Sequence, residues 1–401
     1  MTKIITLILA LTMVLLDFIA YRRLKNIGAS KAIRYSFSGV ILFSYLLILL
    51  VPLFMFAFIG PENSQSMMKF SMAILTAYLF FSVARMALYA FWLSTKKSRW
   101  MWTGIGVSSF LLLYFMYGAF VTRTNYQVKE VKLAFNNFPE SFDGYKVAFI
   151  SDIHIGSMWN AEKELNKLSS VISSTGADLV LFGGDLVNLH HSELTPQILD
   201  ILSRIKGKQG TFAVLGNHDT GTYIKGAEND FYELNTASLN NELSKVGWVL
   251  LRDTTVYINK GNDSIAITGI DYSDRLLGYK HSFSAIEGFD VSGIYENVPD
   301  EAFNITISHL PQLWYTLCDS GYSDLTLSGH IHAMQMKIAG FSPAALLFDE
   351  WSGLYERPNG KLYINDGIGS VGFFARLGAR PEVTLIELKS ENGKVKSCAG
   401  E

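Results

Sequence analysis

The pattern of apolar and polar positions divides the chain into two parts. Over residues 1–121, long apolar stretches alternate with short polar segments, whereas after Thr122 the apolar runs are short. A helix needs about 20 largely apolar residues to cross the core of a bilayer. The first part therefore predicts four membrane-spanning helices, at residues 4–21, 35–59, 70–93 and 101–121.

The first apolar stretch has one alternative interpretation, a signal peptide. No small-residue cleavage site follows near Tyr21, so we expect a retained helix. Four such runs in succession are not typical of the core of a soluble protein. Asp17 and Arg85 lie within predicted spans, and the sequence leaves open whether they pair or each extend toward a membrane surface.

The loops between these helices differ in positive charge. The first and third loops are basic, whereas the N-terminus has only Lys3 and the second loop only Lys69. Because positive loops favour the cytoplasmic side, both termini are predicted to lie outside the cytoplasm. We therefore expect an integral protein of the inner or plasma membrane with residues 122–401 in the periplasm or outside the cell. The basic residues are Arg22, Arg23, Lys25, Lys31 and Arg34, then Lys96, Lys97 and Arg99.

After Thr122 the pattern is typical of an α/β domain. Buried strands alternate with helical stretches at 161–175 and about 196–205, and the units repeat about 32 residues apart. This spacing predicts a layered sheet, and the two last strands are expected to complete a second sheet. The predicted strands are 128–135, 146–150, 178–182, 211–215, 264–270, 303–308, 324–328, 361–365 and 382–388.

Residues of metal-ligand type directly follow five of these strands. In such sheets, sites lie outside the carboxyl ends of the strands, so these side chains are expected to converge. A convergent set of carboxylates and imidazoles is typical of a two-metal centre that cleaves phosphate esters. Each motif alone is a weak signal. The motifs are Ser151-Asp-Ile-His-Ile-Gly156, Gly183-Gly-Asp-Leu-Val-Asn188, Gly216-Asn-His-Asp219, Ser308-His-Leu-Pro311 and Gly329-His-Ile-His332.

In this order the five motifs resemble the calcineurin-like metallophosphoesterase superfamily over about 150–390. The pattern of that family is D-x-H, G-D, G-N-H-[DE], H and G-H-x-H, and the layout is similar to its bacterial membrane-associated branch with N-terminal transmembrane helices. The resemblance implies an α-helical membrane domain of about four helices over 1–121. A four-layer α/β/β/α metallophosphoesterase sandwich is then expected over 122–401.

The resemblance also implies a role for each side chain. One metal would be held by Asp152, His154, Asp185 and His332, and the other by Asp185, Asn217, His309 and His330. His218 would lie beside the phosphate, where it stabilises charge or protonates the leaving oxygen, and Asp219 would orient it. These ligand types suit Mn²⁺, Fe or Zn²⁺, with Mn²⁺ favoured. Metal-bound hydroxide would be the nucleophile.

The charge of the second part limits its partners. Residues 122–401 contain 23 basic and 34 acidic residues, a net charge of about −11. Because binding of nucleic acid through its phosphates relies on excess Lys and Arg, no nucleic acid partner is expected. The two cysteines, Cys318 and Cys398, do not suggest a disulfide. The expected partners are the bilayer and a phosphoester substrate, and the oligomeric state stays open.

Several positions stand outside the motifs. Many relatives have Gly-Gly-Gln after the last motif, whereas this chain has Ala333-Met334-Gln335, which bears on the shape of the substrate pocket. Arg376 and Arg380 are expected either to contact substrate phosphate or to be structural. The histidines that fit no motif, namely His190, His191 and His281, are predicted to be surface residues.

The sequence thus favours a membrane-anchored enzyme with two divalent metals that hydrolyses a phosphomonoester or phosphodiester, with lipid-linked substrates favoured by the anchor. One alternative is a nucleotide-lipid pyrophosphatase of the UDP-diacylglucosamine type, whose active face would point to the cytoplasm. The other is a non-enzyme, a metal-binding membrane sensor or assembly protein. Intact ligands at every motif position argue against the non-enzyme.

Overall fold

The computed structural model describes residues 2–57, 61–94, 98–224, 231–279, 282–286 and 288–391. Its contacts divide the chain into two compact units. The helical unit comprises residues 1–121 with the short segment 372–375, and the α/β unit comprises 122–371 with 376–401.

The helical unit contains four long helices, as the apolar stretches predict. Among the described residues, two segments are long and apolar enough to cross a membrane, Gln65–Ser94 and Arg99–Thr124. The described part of the unit therefore contains the four expected helices. Two of its segments have the length and composition of a membrane span. The helices are α1 (Thr2–Asn26), α2 (Lys31–Ala57), α3 (Pro61–Ser94) and α4 (Ser98–Phe120).

Asp17 and Arg85 form a buried ion pair inside the helical unit. Nη1 of Arg85 lies 3.2 Å from Oδ2 of Asp17. The hydroxyls of Tyr45 and Tyr89 donate to the same carboxylate, each at 2.6 Å. The sequence left this pairing open. The structure selects the pair because both side chains turn toward the helices rather than outward.

Two six-stranded mixed sheets form the α/β unit. The strands of the first sheet lie in the order β1 (Gln127–Phe135), β12 (Glu382–Ser390), β2 (Tyr145–Ile150), β3 (Leu179–Phe182), β4 (Thr211–Ala213) and β5 (Trp248–Leu250). The strands of the second lie in the order β10 (Gly353–Arg357), β11 (Gly360–Ile364), β9 (Leu325–Ser328), β8 (Asn304–Ser308), β7 (Asp263–Ile270) and β6 (Thr254–Lys260).

The two sheets enclose one apolar core and carry helices on their outer faces. Phe149, Leu181 and Ile307 belong to the core between the sheets. Outside the first sheet, the amphipathic helices α5 and α6 bury one face against β2 and β3. Outside the second sheet, α10 packs on β11. The helices are α5 (Ala161–Ser174), α6 (Pro196–Leu202), α7 (Phe231–Lys245), α8 (Asp274–Leu277), α9 (Ser292–Tyr295) and α10 (Trp314–Ser320).

The expected position of the last strand is wrong. β12 lies in the first sheet, parallel to β1 and antiparallel to β2, rather than in the second. Its side chains are buried on both faces, since Ile386 joins the core between the sheets and Val383 joins the core beneath the helices. An apolar run indicates that both faces of a strand are buried, but it does not indicate which sheet contains the strand.

Candidate metal centre

The loops that follow five parallel strands carry all seven predicted metal ligands. β2, β3 and β4 are parallel neighbours in the first sheet, and β8 and β9 are parallel neighbours in the second. The carboxyl ends of neighbouring parallel strands meet at one edge of a sheet. The loops after these ends contain Asp152, His154, Asp185, Asn217, His309, His330 and His332.

Four of these side chains form a first group. The ligand atoms of Asp152, His154, Asp185 and His332 all lie within 4.8 Å of one another, and all four side chains are buried. Nε2 of His332 is 3.0 Å from Oδ1 of Asp152 and 3.3 Å from Nε2 of His154. Two carboxylates and two imidazoles directed at one point are a donor set that suits a divalent transition metal.

A second group shares Asp185 with the first. Oδ2 of Asp185 lies 3.5 Å from Nε2 of His154 and 3.3 Å from Nε2 of His309. Nε2 of His309 is in turn 3.0 Å from Oδ1 of Asn217 and 3.2 Å from Nδ1 of His330. The structure thus brings the seven residues together in two groups joined by one carboxylate oxygen. Their individual roles as ligands stay a prediction.

Five of the seven residues have left-handed backbone conformations. Residues other than glycine rarely adopt a positive φ, and such strain concentrates at functional sites. The motifs gave no indication of this strain, because it is a property of the folded loops. The φ angles are 54° at Asp152, 46° at His154, 60° at Asp185, 74° at His330 and 55° at His332.

Two glycines leave room for the carboxylates. A Cβ added at Gly216 would lie 2.1 Å from Oδ1 of Asp185, and one at Gly329 would lie 2.4 Å from Oδ2 of Asp152. Both distances are far inside van der Waals contact. The glycines in these two motifs therefore serve the close approach of ligand side chains to a neighbouring backbone.

The electrostatics of the two groups favour a positive charge between them. Burial lowers the pKa of His309, but the surrounding acceptors, with the carboxylate of Asp185 foremost, together raise it to about 9. Burial raises the pKa of Asp152, but the neighbouring histidines, with His332 foremost, together hold it below its usual range. Burial and the neighbouring His309 lower the pKa of His330 to about 3. The donor set thus fits divalent cations in charge as well as in geometry.

Asp219 acts on the backbone rather than on His218, which corrects the expected role. Its carboxylate accepts hydrogen bonds from the N–H groups of Asp185, Leu186, Val187 and Gly216 at 2.8–3.0 Å. Burial and the nearby Asp185 raise the pKa of Asp219 to about 7. Asp219 thereby fixes the loop that carries Asp185.

His218 is held by two residues that lie outside the predicted set. Its Nδ1 donates to the carbonyl of Asn188 at 2.8 Å, because a carbonyl oxygen only accepts. The ring of Tyr223 stacks on it with centroids 4.3 Å apart, and the Tyr223 hydroxyl accepts from Nδ2 of Asn217 at 2.8 Å. Burial lowers the pKa of His218. Nε2 is the ring nitrogen that this bond leaves available.

Glu193 is a buried carboxylate that no motif identifies. It accepts hydrogen bonds from the N–H groups of Gly156, Asn188 and Leu189 at 2.7–2.8 Å. Burial raises its pKa to about 7. Glu193 thus joins the loop after β2, which carries His154, to the loop after β3, whose Asn188 carbonyl orients His218.

The remaining candidates lie outside the two groups. Arg376 is fully buried and donates to the carbonyls of Asp366, Gly369 and Ala379, so of its two expected roles the structural one applies. Arg380 likewise donates to the carbonyls of Asn125 and Tyr126. The three histidines outside the motifs were expected at the surface, and the two that the structure describes are partly exposed. His190 and His191 are half-buried with ring centroids 4.1 Å apart, and His281 lies outside the described residues.

Comparison with known proteins agrees with this geometry. Residues 145–334 match the family model of the calcineurin-like phosphoesterases. The chain is 26% identical over 265 residues to an uncharacterized metallophosphoesterase of Bacillus subtilis, covering 63% of this chain and 82% of that protein. It is 28% identical over 270 residues to a transmembrane protein with metallophosphoesterase domain of Danio rerio, covering 66% of this chain and 57% of that protein.

A third relative has a named substrate. The chain is 24% identical over 284 residues to a UDP-2,3-diacylglucosamine pyrophosphatase of Chlamydia muridarum. This similarity covers 61% of the chain and 83% of the relative. In these comparisons, the chain is thus similar to metallophosphoesterases that include a transmembrane protein and a pyrophosphatase.

Proposed function

We propose that the chain is anchored in a membrane and hydrolyses a lipid-linked phosphomonoester or phosphodiester. Its calcineurin-like phosphoesterase domain makes it a metal-dependent phosphoester hydrolase. The observation that carries the proposal is the pair of ligand groups joined by Oδ2 of Asp185. A shared carboxylate offsets the repulsion between two cations held a few ångströms apart. We propose Mn²⁺ as the favoured ion.

The proposed mechanism divides the work between cations and protein. When bound, the cations activate water as a nucleophile and polarise the phosphate. His218 is the residue proposed to contact the substrate, since its Nδ1 is bound to the Asn188 carbonyl and its Nε2 is left to face the phosphate. When the ring carries a second proton, on Nε2, it would donate that proton to the leaving oxygen and return to the neutral form with hydrogen on Nδ1. Asp219 and Glu193 keep the loops in place.

Membrane anchoring is supported by the composition of the helical unit. Two of its described segments have the length and composition of a span, and a relative that is 28% identical is a transmembrane protein. We propose that all four helices anchor the chain. The basic loops favour a catalytic domain outside the cytoplasm. A reporter fused after Glu401 that is active only in the cytoplasm would contradict this orientation.

One relative favours a second candidate function. The similarity to a UDP-2,3-diacylglucosamine pyrophosphatase raises cleavage of a pyrophosphate in a nucleotide-lipid as the alternative. Under this function, the active face is expected to point to the cytoplasm, against the orientation that the loop charges favour. Release of UMP from UDP-2,3-diacylglucosamine, together with a cytoplasmic reporter signal, would favour this alternative over the first.

The proposed function is tested with the full chain purified in detergent. We expect hydrolysis of bis-p-nitrophenyl phosphate in the presence of Mn²⁺. Asp185→Asn should lower the rate by at least about 100-fold, since it removes the charge shared by the two groups. The control is Asp200→Asn, whose carboxylate is 70% exposed and lies on α6. Equal rates for wild type and Asp185→Asn would refute the assignment.

The substrate class is tested with the same preparation. Phospholipid phosphoesters, lipid-linked sugars and nucleotides are compared, with Asp185→Asn as the blank. We expect the highest kcat/KM for a lipid-linked phosphoester. A preference for soluble nucleotides would leave the hydrolase intact and overturn the lipid-linked part of the proposal.

A further inference from the structure

The segment that follows His332 forms a short hairpin with apolar side chains beside its turn. The backbones of Ile338 and Phe341 exchange two hydrogen bonds of 2.9 and 3.0 Å across the turn Ala339–Gly340. Both turn residues have positive φ, 50° and 83°, which is the geometry of a tight two-residue hairpin turn. Paired residues of a hairpin project from the same face, so Ile338 and Phe341 lie side by side.

Large apolar side chains cover the exposed side of this segment. Ile338 is 48% exposed, Phe341 is 54% exposed and Leu346 is 74% exposed. A soluble surface rarely presents several large apolar side chains close together unless they mark an interaction site. We call the set the hairpin surface, and it comprises Met334, Ile338, Phe341, Leu346 and Leu347.

The hairpin surface presents no charge. Lys337 is the single ionisable residue of 333–348. Its ammonium is turned inward, 2.6 Å from the carboxylate of Asp366 and 2.8 Å from the hydroxyl of Ser352. This contrasts with the α/β unit as a whole, whose net charge is about −11. A charged partner would therefore find no complementary group on this surface.

The hairpin is fixed to the body of the α/β unit close to the metal centre. The N–H of Lys337 donates to the carbonyl of Leu377 at 2.8 Å, and the hydroxyl of Ser342 donates to the carbonyl of Ala333 at 2.7 Å. Ala333 directly follows His332, a predicted ligand. Whatever contacts the hairpin surface is therefore held near the metal centre.

The connection to α4 indicates what the hairpin surface contacts. Six residues, Val121–Tyr126, separate the end of α4 from the start of β1. Even fully extended, they span at most about 20 Å. If α4 crosses the bilayer, as proposed above, the start of β1 stays within that distance of a lipid surface. The N–H of Gln127 at this start donates to the carbonyl of Pro381, four residues after the Leu377 carbonyl that binds the hairpin. Exposed aliphatic and aromatic side chains are the groups that enter the boundary between headgroups and acyl chains.

We propose that the hairpin surface inserts among the acyl chains of the bilayer and holds the metal centre at the level of the lipid headgroups. The proposal rests on the membrane anchoring stated under the proposed function. It assigns the substrate to the class of phosphoesters that stay embedded in the membrane by their lipid part. The phosphate of such a substrate reaches the metal centre without leaving the interface.

The proposal is tested by lipid quenching of a fluorescent label on the full chain. In a Cys398→Ser background, where the other cysteine, Cys318, is buried, Phe341→Cys and Leu346→Cys are each labelled with bimane. The protein is reconstituted in phosphatidylcholine vesicles with or without brominated acyl chains. We expect brominated lipid to quench both labels by at least about twofold, because bromine quenches only on contact within the acyl region.

The matched controls are Leu234→Cys and Ser244→Cys on α7. Leu234 is 58% exposed, about as exposed as Phe341, so it controls for apolar exposure alone. Both control labels should be quenched by aqueous iodide and not by brominated lipid. Unchanged thermal unfolding of each labelled variant shows that the fold is retained.

Two results would overturn the proposal. Quenching of the hairpin labels by iodide alone would show that the surface faces water. Protection from both quenchers would show that protein covers it, a second copy of this chain included. The quenching measurement does not depend on turnover. A failure of the hydrolase assignment would appear with bis-p-nitrophenyl phosphate, whereas a failure of this inference would appear only in the quenching.

Discussion

Single residues of the metal centre are held in strained conformations by hydrogen bonds that involve their neighbours. The N–H of His330, itself at positive φ, donates to the carboxylate of Asp152 at 3.1 Å. The N–H of His218 donates to Oδ1 of Asp185 at 2.8 Å. At Asp185, the oxygen that accepts this bond is the one that does not face His154 and His309. The ligand atoms are therefore oriented by the fold itself, which is what a preorganised site requires.

Gly216 is a residue where the smallest substitution should remove function. In Gly216→Ala, the new Cβ would overlap Oδ1 of Asp185, so the carboxylate must move. We expect the affinity for Mn²⁺ to fall by about 10–100-fold, the range seen when the surroundings of a ligand are disturbed. Calorimetric titration with Mn²⁺ measures the change. The control is Gly293→Ala, where no atom lies within 4 Å of the added Cβ.

Glu193 should make stability depend on pH. Its folded pKa is about 7, above the usual 4.5, so the folded state binds the proton more tightly than the unfolded state. Stability from this group is present below pH 4.5 and is lost as pH rises toward 7, by on the order of 3 kcal/mol. Glu193→Gln has no such proton to lose.

Thermal unfolding of both proteins from pH 5 to pH 8 measures this difference. The unfolding midpoint of wild type minus that of Glu193→Gln should fall as pH rises. Titration of the histidines affects both proteins equally and therefore does not change this difference. A constant difference between the two midpoints would show that Glu193 does not titrate in this range.

At the residue scale, the motifs identify side chains whose chemistry is specific. His309 and Asn217 could be named from sequence because imidazole and amide ligands follow strand ends. Tyr223 and Glu193 could not, since an ordinary loop tyrosine and glutamate gain their roles only from tertiary contacts. Asp219 was expected to contact His218 because the two are adjacent in sequence. Their side chains point in different directions, and the Asp219 carboxylate binds backbone N–H groups instead.

At the scale of elements, the apolar runs predicted the limits of strands better than they predicted which strands are neighbours in a sheet. β2, β3 and β8 lie within one or two residues of the predicted limits, and all their residues except Lys146 are buried. The sheet of β12 was wrong because strand pairing is decided by contacts between residues more than 200 positions apart, such as Leu385 and Ala148. Local pattern contains no information about such a pairing.

The ion pair between α1 and α3 offers a prediction about helix packing. Asp17→Ala should destabilise the chain by about 3–5 kcal/mol, because it leaves the buried guanidinium of Arg85 without its carboxylate. The double variant Asp17→Ala/Arg85→Met should recover part of that loss, since no guanidinium is left without a partner, while the hydroxyls of Tyr45 and Tyr89 still lose their acceptor. Thermal unfolding in detergent gives the comparison. A double variant as unstable as the single one would mean that the pair is not the source of the effect.

At the scale of the whole molecule, the metal centre joins both sheets. Asp152, Asp185 and Asn217 follow strands of the first sheet, and His309 and His332 follow strands of the second. Bound cations should therefore stabilise the α/β unit against separation of the sheets. At a free Mn²⁺ concentration 100-fold above Kd, the stabilisation is about 2.7 kcal/mol. We expect EDTA to lower the unfolding midpoint of wild type and Mn²⁺ to restore it. Asp185→Asn should respond to neither, and an equal response of the variant would show that the stabilising ions bind elsewhere.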